Sequence, residues 1–197
     1  SPLIASEIVR NAIIAVAAAS VGILLYIAYA FRRVKNSFRW GTCAVLALVH
    51  DALIVLGTFS ILGRVFHIEL DSLFITAVMT VIGFSVHDTI VVFDRIRENY
   101  GRRSGDRLEN IVNHSIMQTI GRSLNTSITT LLVLIALYMF GGVTIQNFVL
   151  ALIIGIVVGT YSSIFVAASL LVVWEYGELK AGWKRLFGGK QAVNTAS

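Results

Sequence analysis

Charged residues are scarce in this chain. Asp, Glu, Lys and Arg make up 14% of its 197 residues, whereas a soluble domain typically carries about 25%. Apolar residues make up 56%, and several apolar runs of about 20 residues are long enough to cross roughly 30 Å of hydrocarbon. A soluble core needs no runs of that length, so the composition predicts an integral membrane protein.

Proline and cysteine are nearly absent. The one proline, Pro2, lies ahead of the apolar runs, so no predicted helix is interrupted by proline. The one cysteine, Cys43, excludes an intramolecular disulfide. The first apolar run, 11–31, is longer than the apolar part of a signal peptide and ends in Arg32 and Arg33. It therefore predicts a membrane-spanning helix and not a cleaved signal.

Two familiar catalytic motifs are missing as well. The sequence has no G-x-x-x-x-G-K-[ST] loop for ATP and no H-E-x-x-H pair for a zinc protease. Two His-Asp pairs, at 50–51 and 87–88, would suit a metal only if the fold brought them together. Our interpretation is a protein that is not an enzyme and uses neither a metal nor a cofactor.

Five apolar stretches predict five transmembrane helices and an all-α fold. The predicted spans are about 9–31, 40–63, 72–93, 114–140 and 145–173. Together they form a predicted transmembrane domain over 1–176, followed by a basic cytoplasmic tail over 177–197. Gly155 and Gly159 on the last span form a small-xxx-small pair, which predicts close packing against another helix.

Basic residues are distributed unevenly between the two sides of the membrane. Thirteen lysines and arginines lie in 32–39, 94–113 and the tail, whereas the opposite side has only Arg10 and Arg64. Because basic loops stay in the cytoplasm, residue 1 is predicted outside and the C-terminus inside. This distribution also accounts for the positive net charge, so we expect no nucleic-acid partner. An outside N-terminus leads us to expect an upstream span and an exported segment before residue 1.

Ionisable residues inside the predicted spans are the first candidates for function. Each costs about 2.5–3.5 kcal/mol on insertion scales, and such groups are usually functional or paired. They are His50, Asp51, His87, Asp88 and Arg122. A rise of about 1.5 Å per residue places Asp88 about 24 Å, and Arg122 about 27 Å, from the outer ends of their helices. We expect these two residues at one level, either as a functional pair or as a structural ion pair.

The fourth predicted span is unusually polar. Its polar residues recur at three- and four-residue spacing, which predicts one stripe that faces protein or water and not lipid. The stripe consists of Ser115, Gln118, Thr119, Arg122, Thr126 and Thr129. Such a stripe can hold a file of water for proton transfer. The residues expected to support Asp88 and Arg122 are His50, Asp51, His87, Gln118, Thr119, Asn125 and Thr126.

Three long strings resemble the SecD/SecF family of protein-export membrane proteins, on its SecF side. They are V-L-A-L-V-H-D-A-L-I-V-L-G at 45–57, I-G-F-S-V-H-D-T-I-V-V-F-D-R-I-R-E-N at 82–99 and N-H-S-I-M-Q-T-I-G-R-S-L-N-T-S-I-T-T at 113–130. The resemblance extends over about 2–176. The second string includes a cytoplasmic motif made of Asp94, Arg95, Arg97, Glu98 and Asn99.

The resemblance implies one half of a resistance–nodulation–division type permease, with five of its six helices in this chain. It implies that Asp88 and Arg122 work with an acidic residue of SecD to couple proton flow to polypeptide translocation. The implied partners are SecD, the SecYEG translocon with SecA, the exported polypeptide and lipid of the bacterial inner membrane. The family usually has Asn where His87 stands here, which exchanges one hydrogen-bonding side chain for another. Two alternatives stay open: a proton-driven exporter of small molecules or lipids, and a structural translocon scaffold.

Overall fold

The computed structural model describes residues 2–31, 37–66, 72–103 and 105–176. The helices are α1 (Pro2–Ala30), α2 (Ser37–Phe66), α3 (Ser72–Arg102), α4 (Leu108–Phe140), α5 (Val143–Ser162), a π-helical segment (Ser163–Ala167) and α6 (Ala168–Glu175). The last three follow one another without a break, so they form one long helix. These described ranges contain no strand, and the prediction of an all-α fold is confirmed.

Five helices are long and apolar enough to cross a membrane, as the sequence predicted. Helices α3 and α4 extend beyond the predicted spans toward the segment that joins them. Helix α3 continues from 93 to Arg102, and α4 begins at Leu108 instead of 114. The cytoplasmic motif at 94–99 is therefore helical. The predicted basic tail at 177–197 lies outside the described residues.

A glycine pair makes the turn between α4 and α5. The backbone N–H of Gly141 donates to the carbonyl of Leu137 at 2.7 Å, which closes the last turn of α4. Gly142 has a φ angle of 82°, a conformation that glycine adopts without steric cost. Since α5 begins at Val143, these two residues reverse the chain.

Buried apolar side chains form two clusters, one toward each end of the bundle. In the first cluster, Trp40 stacks on Phe31 with ring centroids 5.5 Å apart and meets Phe93 edge-on at 5.6 Å. In the second, Phe59 and Phe74 lie 4.7 Å apart. Buried polar side chains lie near the boundary between the clusters, and we call them the polar layer. The polar layer consists of Asp51, Ser85, Asp88, Thr89, Ser123, Ser127, Thr160, Ser162 and Ser163.

Close packing joins α3 to α5. A Cβ atom added at Gly155 would lie 2.1 Å from Cγ2 of Val81, and one added at Gly159 would lie 3.0 Å from Cβ of Ser85. Both glycines are buried, and the two backbones approach because neither glycine has a side chain. The packing role predicted for this pair is confirmed, and it places Ser85 directly against α5.

Candidate functional site

Asp88 lies on α3 inside the polar layer and is 3% exposed. Its Oδ2 atom is buried and has no hydrogen-bond partner among the described residues. Ser123 of α4 faces this carboxyl, yet the Ser123 Oγ atom also lacks a partner of normal geometry. Leaving a buried polar atom unpaired costs about 1–3 kcal/mol. A cost of that size at one place requires a structural or functional reason.

The unpaired buried atoms occur together in one region of the molecule. Within the described ranges, three buried side-chain atoms lack a partner: Asp88 Oδ2, Ser123 Oγ and Ser162 Oγ. All three belong to the polar layer, and they come from α3, α4 and α5. The polar layer is therefore incompletely hydrogen-bonded on three helices, and Asp88 is the one carboxyl among these three unpaired groups.

Arg122 immediately precedes Ser123 on α4, but its side chain lies on the outer surface of the bundle. It makes no ion pair with Asp88 or with any other residue in the described part of the chain. Adjacent positions on an α-helix point about 100° apart, and here Ser123 takes the inward direction. The expected pairing of Asp88 with Arg122 is therefore not made within this chain.

The single polar stripe predicted on α4 is divided between two faces, which corrects the prediction. The inward face holds Ser115, Thr119, Ser123 and Ser127, which are spaced four residues apart. The outward face holds Gln118, Arg122, Asn125, Thr126 and Thr129. A row of residues four apart is inclined to the helix axis. The buried row on α4 follows this inclination around the axis. Residues 115 and 122 point in nearly the same direction, about 20° apart, but at the level of 122 the buried surface has moved round to Ser123, so Ser115 is buried and Arg122 is exposed.

Asp51 is the second buried carboxyl, and it has no exposed surface. His50 Nδ1 lies 3.0 Å from its Oδ1 atom, and the Ser85 hydroxyl donates to its Oδ2 atom. The structure thus brings Asp51 into contact with α3 and His50 into contact with Asp51, and the sequence predicted both as supporting residues. His50 itself is partly exposed at the bundle surface.

Hydroxyl groups join α5 and the π-helical segment to α3 and α4. Ser163 Oγ lies 2.9 Å from Thr89 Oγ1 and donates to the Ser85 carbonyl at 3.1 Å. Ser127 Oγ lies 2.6 Å from Thr160 Oγ1. The π-helical turn begins at Ser163, and such turns inside α-helices are frequent at functional sites.

Sequence reasoning overlooked most of these hydroxyls. Ser85, Thr89, Thr160 and Ser163 are small polar residues in largely apolar helices. The hydroxyl of a helical Ser or Thr can satisfy itself on a carbonyl one turn back, as Thr160 does on Ile156. A lone hydroxyl in a membrane helix is therefore a weak signal. The four-residue spacing of Ser85 and Thr89 was the available clue, since it places both on one face.

The remaining predicted supporting residues lie outside the polar layer. His87, Asn125 and Thr126 are on the bundle surface. Thr119 is buried, and its hydroxyl donates to the Ser115 carbonyl at 3.0 Å. Gln118 belongs to a network at the end of α3. In the part of the chain that the structure describes, no three His, Cys, Asp or Glu side chains lie close enough to hold a metal ion.

The cytoplasmic motif connects α3 to α4. The Asn99 amide donates to Ser115 Oγ at 2.8 Å and to Gln118 Oε1 at 3.0 Å. Arg95 Nε donates to the same Gln118 oxygen at 2.7 Å and forms an ion pair with Glu98. Asn99 is buried, so these bonds fix the spacing of the two helices at this end.

The same motif also connects α3 to α1. Arg97 Nη1 donates to the Ala30 carbonyl at 2.9 Å, and its guanidinium lies 5.2 Å from the ring centroid of Phe31. Asp94 holds Arg97 in an ion pair of 2.9 Å. The end of α1 has an exposed carbonyl there, which Arg97 caps. The motif therefore connects α3 to both α1 and α4 at this end of the bundle.

These features define an all-α membrane protein with five helices, among the described residues, that are long and apolar enough to cross a membrane. The family model described as "Protein export membrane protein SecD/SecF, C-terminal" matches residues 1–177. The chain belongs to the SecD/SecF family.

Its relatives include proteins named protein translocase subunit SecF. The one from Thermobaculum terrenum is 62% identical over 174 residues, covering 88% of this chain and 55% of the relative. The one from Anaerolinea thermophila is 47% identical over 192 residues, covering 97% of this chain and 62% of the relative. Protein translocase subunit SecDF of Bacillus subtilis is 40% identical over 183 residues, covering 91% of this chain and 24% of the relative. The chain thus spans little more than half the length of these SecF relatives.

A solved structure has a similar fold. The crystal structure of SecDF in its super-membrane-facing form matches with a TM-score of 0.73 and 40% sequence identity. The match covers 84% of this chain and 21% of that one.

Proposed function

We propose that this chain is a non-enzymatic subunit of the bacterial protein-export machinery and that it couples proton flow to polypeptide translocation. Relatives named protein translocase subunits support the export role. The observation that carries the coupling role is Asp88, a buried carboxyl with an unpaired oxygen in the middle of a membrane bundle.

Asp88 and Ser123 can respond to a proton by changing their hydrogen bonding. An ionised carboxyl only accepts hydrogen bonds, whereas a protonated one also donates. Ser123 faces Asp88 and has a free hydroxyl. When Asp88 is ionised, Ser123 is the donor; when Asp88 is protonated, the carboxyl O–H can donate to Ser123. Proton binding therefore alters the contact between α3 and α4, and helix movement follows from that change.

Arg122 is proposed to act across an interface with SecD. A guanidinium on the lipid-facing side of a span costs about 2.5–3.5 kcal/mol, and the cost falls if a partner with an acidic residue covers it. Asn125 lies on the same outward face of α4 and is likewise exposed. Since arginine stays protonated in proteins, Arg122 would not carry protons. It would stabilise the ionised form of the nearby acids.

The SecD interface gives a direct test on α4. Thr126 and Leu124 are both exposed and differ by about 200° around the helix. A cysteine at Thr126 should crosslink to SecD in membranes, and one at Leu124 should not. Equal crosslinking from both positions would contradict an interface on the polar face.

We further propose that the SecYEG translocon with SecA and the exported polypeptide are partners of the complete assembly. The positive-inside count supports an outside residue 1 and a cytoplasmic C-terminus. With Cys43 replaced by Ala, an impermeant thiol reagent should label a cysteine at Asp106 only from the cytoplasm and one at Val143 only from outside. The reverse pattern would invert the proposed topology.

The coupling role is tested by Asp88→Asn. The amide keeps the shape of the side chain but cannot ionise, so the complex should assemble normally and lose the part of export that depends on the proton gradient. Export is measured in vesicles that contain the complete assembly, with and without an imposed gradient. Asp106→Asn is the matched control, because Asp106 is an exposed acid whose one ion pair within the described residues is with Arg103. Full gradient dependence in Asp88→Asn would leave the structural scaffold as the better interpretation.

A further inference from the structure

The buried carboxyl of Asp51 has a more complete set of partners than Asp88. It is 0% exposed, and in the described ranges no lysine or arginine forms an ion pair with it. Its two oxygens contact His50 Nδ1 at 3.0 Å and the Ser85 hydroxyl. An isolated carboxylate is strongly disfavoured in such a place. Among the residues that the structure describes, the one group in contact with Asp51 that can balance its charge is the imidazole of His50.

The hydrogen bond between His50 Nδ1 and Asp51 Oδ1 can be made in two forms that have no net charge. With one proton between them, His50 and Asp51 are either imidazolium and carboxylate or neutral imidazole and carboxylic acid. Both forms have zero net charge. Loss of the proton would leave a buried negative charge, and gain of a second would leave a positive one. The 3.0 Å contact needs a proton on the line from Nδ1 to Oδ1, and the burial of Asp51 favours the two forms in which the pair as a whole is neutral.

We propose that His50 and Asp51 form a second proton-binding site of the bundle, separate from Asp88, and that Ser85 transmits its state to α3. The step moves one proton from Nδ1 of the imidazolium to Oδ1 of the carboxylate. The products are neutral imidazole and carboxylic acid, so the net charge is unchanged. The inference extends the proposed function, because it assigns a proton-handling role to α2 in addition to α3 and α4.

Ser85 connects this site to the rest of the polar layer. Its hydroxyl donates to Asp51 Oδ2, and hydrogen bonds to a charged acceptor are roughly twice as strong as neutral ones. The α2–α3 contact is therefore stronger when Asp51 is ionised. The Ser85 carbonyl accepts from Ser163, and Asp88 lies about one turn further along α3. A change at Asp51 thus reaches the helix that carries Asp88.

The other helices packed at this depth add few charges. Helix α3 contributes Asp88 and the surface residue His87. Helix α5 and the π-helical segment contribute the hydroxyls of Ser162 and Ser163. The pair at His50 and Asp51 therefore has Asp88 as the one other buried acid in the described part of the layer.

The first experiment observes the proton directly. The chain contributes four histidines to the ¹⁵N-histidine spectrum of the complete SecD-containing complex in lipid vesicles, and the signals that disappear in His50→Gln are those of His50. We expect His50 to be either an imidazolium with protons on both nitrogens or a neutral imidazole whose Nδ1 accepts the proton of Asp51, with a signal that changes in Asp51→Asn. The signal of His114, which contacts Gln118 and Arg103 on α4 and α3, is the internal control. A neutral imidazole whose one proton stays on Nδ1 beside an ionised Asp51, or a His50 signal that is the same in Asp51→Asn, would overturn the proposal.

The second experiment measures the consequence for transport. Gradient-driven export is followed as a function of pH in His50→Gln, Asp51→Asn and Ser85→Ala, with Asp51→Glu as the conservative variant. A coupling of ordinary size predicts a loss of about two- to tenfold and a displaced pH profile in the first three variants. Asp51→Glu should recover part of the loss. Profiles of unchanged shape in His50→Gln and Asp51→Asn would mean a purely structural contact and refute the proposal.

The two experiments separate this inference from the proposed function. If Asp88→Asn keeps its full gradient dependence while the His50 signal responds to Asp51→Asn, the proposed coupling through Asp88 fails and the proton-sharing pair stands. If Asp88→Asn loses gradient dependence while the His50 signal does not respond, the coupling stands and the second site is rejected.

Discussion

Asp51 and Asp88 are two carboxyls buried in the same polar layer, and their surroundings differ in one respect. Asp51 has a partner on each oxygen, from α2 and α3 of its own chain. Asp88 has an oxygen without a partner and a neighbouring hydroxyl that is also unpaired. The chain therefore completes one acidic site by itself and leaves the other incomplete, either for a partner or for a second arrangement of the helices.

Helix α4 repeats this contrast on its two polar faces. On the inward face, Ser115 and Ser127 are hydrogen-bonded to other helices. On the outward face, the guanidinium of Arg122 and the amide of Asn125 have no partner within the described residues. The inward face explains how the bundle holds together. Gln118 on the outward face accepts hydrogen bonds from α3, but Arg122 and Asn125 make no such contact within the described residues, and that is why we assign their part of the face to an interface.

The largest effect is expected from Arg122. It tests the contrast between the two faces of α4, because it lies on the outward face and has no partner within the described residues. Arg122→Gln should reduce gradient-driven export about tenfold or more, since it removes the only charge on the outward face. The free energy of unfolding of the isolated chain should change by less than about 0.5 kcal/mol, because the side chain is exposed. Export in vesicles and thermal unfolding in detergent measure the two quantities.

Arg122→Lys then separates charge from shape. Lysine keeps the positive charge and loses the planar fork, so partial export should remain. If Arg122→Gln also unfolds the isolated chain, then Arg122 has an intramolecular partner and the two faces of α4 do not differ as described.

The next effect concerns the close contact between α3 and α5 at Val81 and Gly155, which lies one turn from Ser85. In Gly155→Ala the new methyl group would overlap Val81, and overpacking of this kind typically costs about 1–3 kcal/mol. We expect a lower unfolding temperature in detergent. Gly83→Ala is the matched control, since a Cβ at Gly83 meets nothing within 4 Å.

A second substitution tests the cause. Val81→Ala removes the methyl groups that Gly155→Ala would meet, so the double variant should recover part of the lost stability relative to Gly155→Ala. If the losses of stability of the two single variants add in the double variant, the packing of α3 against α5 does not depend on the contact between Val81 and Gly155.

The sequence predicted the five helices and the level of the candidate residues, but not the direction in which each side chain points. Long apolar runs define spans regardless of what packs around them. The rotation of α4 about its axis is different, because polar residues occur on two of its faces. Only packing against α3 and α5 decides that Ser123, and not Arg122, meets Asp88. The hydrogen bonds between hydroxyls of different helices could not be predicted from the sequence either, because a serine in a membrane helix can bond its own backbone instead.

The comparison between the two carboxyls also predicts opposite changes in stability. Asp51→Asn exchanges a charged acceptor for a neutral one and should lower the free energy of unfolding by about 1 kcal/mol. Asp88→Asn removes an acid whose partner is missing, so stability in detergent should be equal or higher. Both variants are compared with the wild-type chain by thermal unfolding at one pH. Equal destabilisation by the two substitutions would remove the distinction drawn here.

The smallest effect is expected at the hydroxyl bond between Ser127 and Thr160, which lies on the completed side of the layer. Interhelical hydrogen bonds in membrane proteins contribute about 0.6 kcal/mol on average, because each hydroxyl has an alternative partner on its own helix. Thr160 already donates to the Ile156 carbonyl. A double-mutant cycle with Ser127→Ala and Thr160→Val, measured by unfolding in detergent, should therefore give a coupling energy below about 1 kcal/mol. Ser20→Ala is the control, because Ser20 bonds only the Val16 carbonyl of its own helix. A coupling of about 2 kcal/mol or more would mean that the polar layer is a principal source of stability, and its unpaired atoms at Asp88 would then need a structural explanation.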